Sequence, residues 1–171
     1  MRVADRERAV AVVAHEARPV ADLAVPRLAD YCTVHLRAPD GSIENVALAH
    51  FDPGRLDVAR QLQRDRVVDP NAPTGVPRII REGTTELTEV TPEVLERAAT
   101  VLTPHELELL RQLEMRSYLI VPLMGRAGPV GALSLVMAQS GRQLGERELA
   151  LAKELGERAG IALENAQLYE T

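Results

Sequence analysis

The sequence predicts an α+β domain in which a central antiparallel sheet is covered by helices from both chain ends. Three observations carry that reading. "YCTVHLRAPDGSIENVALAH" alternates, turns at "APDGS" and alternates again, the pattern of a β-hairpin. "SYLIVPLMGRAGPVGALSLV" holds two apolar runs around a Gly- and Pro-rich gap, a second hairpin. Helical periodicity opens and closes the chain.

Taken in order, residues 2–17 read as a helix with Val10, Val13, Ala14 and Ala17 on one face, interrupted at Pro19. A second helical piece, "VADLAVPRLAD", contains Pro26 as a kink or restart. In the first strand, Cys32, Val34 and Leu36 form an apolar face, and Tyr31, Thr33, His35 and Arg37 a mixed one. "DPGRLDVARQLQRDRV" is a short amphipathic helix and "VVDPNAPTG" a loop. "GVPRIIREG" is a one- or two-turn helix, with Pro77 near its first position and Gly83 just past its end. "TTELTEV" reads as a short strand. Thr91-Pro92 and Thr103-Pro104 start two more helices, and Thr103 with Glu106 forms a capping box.

The second hairpin has strands near 117–123 and 130–138. Pro122 cannot donate to a ladder, so it is expected near a strand end, at a bulge or where pairing lapses. The last helix, "GERELALAKELGERAGIALENAQLYET", runs to the final residue and opens on Gly145, a weaker cap than Ser or Asp. It ends in mid-pattern, which points to a chain cut from a longer protein.

A length of 171 residues suits one domain. Aromatic residues are confined to Tyr31, Phe51, Tyr118 and Tyr169, so the core is aliphatic and base stacking has almost nothing to use. With a formal charge of −5 and no basic block, neither nucleic acid nor an anionic membrane is an expected partner. Arginine supplies nearly all the positive charge, Lys153 being the sole lysine, which with the Ala, Val and Leu content points to a GC-rich bacterial source. The N-terminus lacks the apolar core of a signal peptide, and no apolar run approaches the ~18 residues of a membrane span. A cytoplasmic location is the expectation.

Searches for catalytic chemistry find little. Ser134 in "GALSLV" lacks the second glycine of a nucleophile elbow and reads as a strand residue. "GRAGPVG" has neither the lysine nor the spacing of a phosphate loop. His15 and His105 read as surface residues, while His35 and His50 sit in strands, with structural hydrogen bonding the default for both. Cys32 is the only cysteine, which leaves no internal disulfide or Cys-rich metal site, and it reads as an inert buried thiol. No metal site is expected.

The last helix carries two apolar stripes. Leu149, Ala152, Ala159, Leu163 and Ala166 form one, and Leu151, Leu155, Ala162 and Tyr169 the other. A helix packed only on its own sheet needs one stripe. The second is read as a seam to a partner chain's helix, with Gly156 and Gly160 allowing close approach. Cover by residues 2–17 is the alternative.

The segments "LAVPRLADYCTVHLRAPDGS", "GVPRIIREGTTEL", "RSYLIVPLMGRAGPVGALSLV" and "ERELALAKELGERAGIALENAQLY" together resemble successive parts of a GAF domain. The subgroup is that of bacterial multidomain sensors, beside histidine kinases or SpoIIE-type phosphatases. On this resemblance residues 19–171 form the GAF-like domain and 1–18 an N-terminal helix or linker. It implies a sheet of five or six strands, with terminal helices on one face and a small-molecule pocket under loops and short helices on the other.

The function implied is a non-catalytic, ligand-responsive module of a signal-transduction protein. It would be a homodimer through its terminal helices, driving an output domain in the parent chain. A ligand-free dimerisation spacer and a heme- or chromophore-binding sensor are the alternatives. The pocket candidates are Tyr31, Thr33, His35, Val76, Arg78, Ile79 and Tyr118, with Arg78 the contact for an anionic ligand. Covalent bilin is disfavoured because Cys32 precedes Thr33 rather than histidine and lies in the first strand. The Asn-Lys-Phe-Asp-Glu signature of cyclic-nucleotide types cannot be assembled. One cysteine is too few for the chemistry of free methionine sulfoxide reductases. Heme through His35 or His50 stays open, and the ligand is unidentified.

Overall fold

The computed structural model describes residues 2–169. In chain order it contains α1 (Val3–Ala24), β1 (Tyr31–Arg37), β2 (Ile43–His50), α2 (Pro53–Asp65), α3 (Val76–Glu82), β3 (Glu86–Glu89), α4 (Pro92–Ala99), α5 (Pro104–Gln112), β4 (Ser117–Gly125), β5 (Gly128–Met137) and α6 (Glu146–Tyr169). The five strands form one antiparallel sheet in the order β2-β1-β5-β4-β3. This is the predicted α+β class.

Period-two alternation gives the sheet two buried faces. Cys32, Val34 and Leu36 of β1 pack with Leu119, Val121 and Leu123 of β4 and Leu133 and Leu135 of β5 beneath α1 and α6. The opposite face holds two smaller clusters. Leu62 of α2 and Leu109 of α5 cover Tyr31, Leu48 and Val136, while Ile79 and Ile80 of α3 cover Ile43, Ile120 and Ala132. The mixed face of β1 is thus as buried as its apolar face, except at Arg37.

Pro19 does not interrupt α1, which continues to Ala24. Val13, Ala17, Val20, Ala21 and Ala24 are buried on both sides of the proline, while Pro19 itself is exposed. The lost i→i−4 bond therefore falls on the solvent side, and apolar burial of about 1.5–3 kcal/mol per large side chain outweighs it. The piece "VADLA" belongs to this same helix, not to a separate one. At the other end α6 runs to Tyr169, and the last two positions of the sequence lie outside the described residues.

Local signals explain the short elements. Asp52, Thr91 and Thr103 accept hydrogen bonds from Gly54, Val94 and Glu106 backbone N–H groups at the starts of α2, α4 and α5. Gly83 closes α3 in the left-handed region at φ 69°, donating its N–H to the Ile79 carbonyl. At α6 the carboxylate of Glu148 accepts from the Gly145 N–H at 2.9 Å, the return half of a capping box. Pro122 lies two positions beyond the β3 ladder, which ends at Glu86↔Ile120, and just before a register shift at Leu123/Met124.

Gly156 and Gly160 serve a purpose other than the one expected. A Cβ on Gly156 would lie 2.5 Å from the Pro122 carbonyl oxygen, and one on Gly160 would lie 2.3 Å from that of Met124. The glycines let α6 ride on β4 of its own chain.

Asp30 joins the two halves of the chain just ahead of β1. It is 1% exposed and accepts from the Ala138 and Ser140 N–H groups at 2.6 and 3.1 Å, the Ser140 hydroxyl at 2.8 Å and Arg142 Nη2 at 3.2 Å. Arg142 also donates to the Pro26 and Arg27 carbonyls, tying the end of α1 to the segment leading into α6.

Candidate functional site

The site begins at an irregularity in β1. Between Val34 and His35 the pairing with β2 shifts, so that β2 supplies an extra residue, Val46, between the partners Ala47 and Asn45. Bulges re-aim side chains and recur beside functional sites. Asn45 Nδ2 repairs the ladder by donating to the Val34 and Ala47 carbonyls at 3.3 and 3.0 Å. On the other side β5 comes in closely: a Cβ on Gly131 would lie 2.2 Å from the His35 carbonyl oxygen, so only glycine fits.

His35 is 5% exposed, and its Nδ1 is buried with no hydrogen-bond partner. Burial is the largest influence on the ring and Arg66 adds to it, while a hydrogen bond from the ring to the Gln63 side-chain oxygen opposes both, leaving the pKa at about 4. The imidazole is therefore neutral at physiological pH. Over it opens a cleft of about 540 Å³, bordered by residues 43–48 of β2, by Arg60, Gln63 and Arg64 on α2, by Arg66 and Val68 beyond it, and by Arg18 of α1. The helix places its three contributors on one side through i, i+3 and i+4 spacing.

Of the residues expected to line a pocket, only His35 borders this cleft. Tyr31 is buried and stacked on His50, with ring centroids 5.1 Å apart, and its phenol is pushed upward by burial. Thr33 is buried between its register partners Leu48 and Ser134. Val76, Ile79 and Tyr118 belong to the α3 cluster. Arg78 donates to Glu82 at 2.9 Å and lies 3.9 Å from Glu86, so carboxylates of its own chain occupy it. Arg60, Arg64 and Arg66 line the cleft without belonging to any basic block of the sequence. Their signal in the sequence is the spacing within "RQLQRDR".

The other titratable candidates sit apart. His50 Nδ1 accepts from the Asp52 N–H at 2.9 Å, which fixes the proton on a buried, unpartnered Nε2, and the ring stacks between Tyr31 and Phe51. Cys32 is fully buried under α1, its thiol pushed up to about 12 chiefly by burial. Alternation along β1 puts it on the opposite sheet face from His35. Among the described residues, no group of three His, Cys, Asp or Glu side chains is placed to hold a metal ion. No described helix is long and apolar enough to cross a membrane.

On α6, Leu151, Ala162 and Tyr169 of the expected second stripe face solvent, Tyr169 being 88% exposed. Leu155 is half-buried and packs into the core under α1. Ile161 and Leu168 add to the exposed apolar surface of the helix.

With this architecture in view, comparison with known proteins is decisive at the family level. The profile of the GAF domain family matches residues 5–163. The chain belongs to that family. Its solved neighbours share the fold at low identity. The GAF-B domain of DevS from Mycobacterium smegmatis is 16% identical with a TM-score of 0.63, over 92% of this chain and 96% of that one. A domain of a two-component sensor histidine kinase protein from Sinorhizobium meliloti is 13% identical at 0.56, over 87% and 88%. The PixJ GAF domain of Thermosynechococcus elongatus, in its blue-light-absorbing form, is 20% identical at 0.56, over 99% and 93%. No curated protein matches by sequence. GAF domains are generally regulatory or sensory modules rather than catalysts, and the match begins inside α1.

Proposed function

We propose that this chain is a non-catalytic GAF-type sensory module of a bacterial, cytoplasmic signal-transduction protein. It takes a small molecule in the His35 cleft and forms a homodimer through its terminal helices. The observation that carries the reading is one transverse row of the sheet. Asn45, His35, Ala132 and Pro122 are successive register partners across β2, β1, β5 and β4. The row ends where Gly156 of α6 rests on the Pro122 carbonyl. A ligand that displaces His35 therefore pushes on a row whose far end touches α6. It shifts the output only by preferring one arrangement of the dimer helices. The exposed Leu151, Ala162 and Tyr169 supply the dimer seam, and an output domain of the parent chain would receive the motion.

Two measurements test this. A thermal-shift screen against nucleotides, heme, bilins and small metabolites is expected to give at least one saturable rise in Tm. Uniformly null shifts with the dimer intact would leave a ligand-free dimerisation spacer as the better reading. Sedimentation is expected to find a wild-type dimer that Leu151→Glu converts to monomer; the half-buried Leu155 is a poorer site because charge there also damages the core. A wild-type monomer at micromolar concentration removes the dimer from the proposal.

A further inference from the structure

His50 is a buried titratable ring at the joint between β2 and α2, and the sensory reading gives it no task. Its Nδ1 accepts from the Asp52 backbone N–H at 2.9 Å. A backbone N–H can only donate, so this ring atom carries no proton. The ring is clamped as well, stacked on Tyr31 at 5.1 Å and on Phe51 at 5.3 Å between centroids. Phe51 is held in turn by its own N–H, which donates to the Asp30 carbonyl at 3.0 Å.

What the Nδ1 bond secures is the start of a helix. Asp52 is the N-cap of α2: its carboxylate accepts from the Gly54 N–H at 3.0 Å, and its carbonyl from the Arg55 and Leu56 N–H groups at 3.1 Å each. A proton on Nδ1 sets two N–H donors against each other across 2.9 Å. Nε2, the other nitrogen, is already buried with no partner among the described residues. The charged ring, a donor at both nitrogens, therefore has no acceptor in the closed arrangement. It gains one only by leaving the stack or displacing Asp52, and either movement gives up the cap.

We infer that His50 is a proton-operated latch on α2: the neutral ring holds the first turn of the helix, and a proton on Nδ1 releases it. This goes beyond the sensory reading and needs no molecule in the cleft. Because α2 carries Arg60, Gln63 and Arg64 on the cleft wall, a proton taken up at the start of the helix bears on that wall from outside it.

The groups facing the ring set the direction. Burial opposes the charged form most strongly, Asp52 favours it, Arg55 of α2 opposes it and Asp30 ahead of β1 favours it, and the net shift is downward. Glu114, just past α5, lies 3.7 Å from Arg55 and offsets part of its charge. The Tyr31 phenol is pushed upward by burial and stays neutral. The closed state thus binds the proton less well than a freed ring with the ordinary value of about 6.5. The hold on α2 is full above that value and is lost as pH falls below it.

The test is a two-dimensional NMR titration of the whole chain from about pH 8 to about pH 5, across the ordinary histidine range. The His50 ring protons and the Gly54, Arg55 and Leu56 amides are expected to share one inflection, below the ordinary histidine value. Hydrogen exchange of those amides, corrected for its intrinsic pH dependence, should quicken by about fivefold or more in acid, the equivalent of one lost hydrogen bond. His50→Gln keeps an acceptor that does not titrate, and should remove the inflection from these amides. His105→Gln should leave it, since that ring lies 3.7 Å from Asp65 at the far end of α2. An α2 inflection that survives His50→Gln overturns the inference, as does a ring that stays neutral through the whole titration. Ring and amide inflections that differ in the wild type overturn it even if the glutamine variant does not fold.

Discussion

Replacing Asp30 by alanine should be among the most damaging single changes available in this chain. The carboxylate is 1% exposed and accepts four hydrogen bonds, from the Ala138 and Ser140 N–H groups, the Ser140 hydroxyl and Arg142. Burial alone would raise its pKa. The bonds from Ala138, Ser140 and Arg142 together outweigh that, and the group stays below the usual carboxylate value. Truncation leaves buried donors unmatched and Arg142 without its carboxylate. The carboxylate is buried but Arg142 is 42% exposed, so the loss falls between that of an unmatched buried donor and that of a broken buried pair, about 2–4 kcal/mol. At roughly 2–4 °C per kcal/mol for a chain of this size, the melting temperature should fall by about 4–16 °C.

Urea denaturation and calorimetry of the wild type and Asp30→Ala measure this directly, with Asp30→Asn expected to fall between them. The sign with pH follows from linkage. A carboxylate whose folded pKa is depressed contributes stability above its unfolded pKa and loses it as pH falls through the folded value. The gap between wild type and Asp30→Asn should therefore be full at pH 7 and shrink below about pH 4. A cost under about 1 kcal/mol for Asp30→Ala, or a gap that does not narrow in acid, refutes the claim that the carboxylate charge holds this junction.

Three further outcomes follow from the packing. Gly160→Ala should destabilise by about 2 kcal/mol or more in urea melts, although alanine is ordinarily the better helix former by about 1 kcal/mol; a gain in stability would mean that α6 does not rest on β4. Pro19→Ala should raise stability by about 1–3 kcal/mol through the restored helix bond, because the ring faces solvent, and a loss would show that the ring packs on something. Native protein at pH 8 should resist iodoacetamide at Cys32, whose thiol is buried with a pKa of about 12, and should label fully in denaturant; labelling of the native state at a model-thiol rate would contradict the burial.

What could be read from the sequence was whatever local chemistry determines. Thr103 with Glu106, Pro77 with Gly83, and the Asp-Gly turn between β1 and β2 each fix a boundary within a few residues, and the structure places elements there. The alternation of β1 gave both faces correctly, because side-chain direction in a strand has period two whatever lies above it. Pro19 misled because its local cost was visible while the burial of Val20, Ala21 and Ala24 beyond it was not. The site was harder still. His35 could be suspected from its strand, but the bulge at Val34/His35 depends on pairing with β2, and no spacing within β1 announces it. Arg78 appeared available until α3 and β3 brought Glu82 and Glu86 to it.

The two glycines of α6 make the same point in a sharper form. A Gly-x-x-x-Gly spacing states only that something comes close to the helix, and the sequence does not say what. In this fold the neighbour is the backbone of β4 at Pro122 and Met124. Pro122 has no N–H to give a ladder, and the β3 ladder has already ended at Ile120, so its place in the sheet costs no pairing with β3. Its carbonyl receives the helix. The proline that looked out of place in a strand therefore lies where the sheet meets α6, in the same row as His35. On the proposed reading, a ligand that moves this row would press on the seat of the helix, where only a glycine fits against the Pro122 carbonyl.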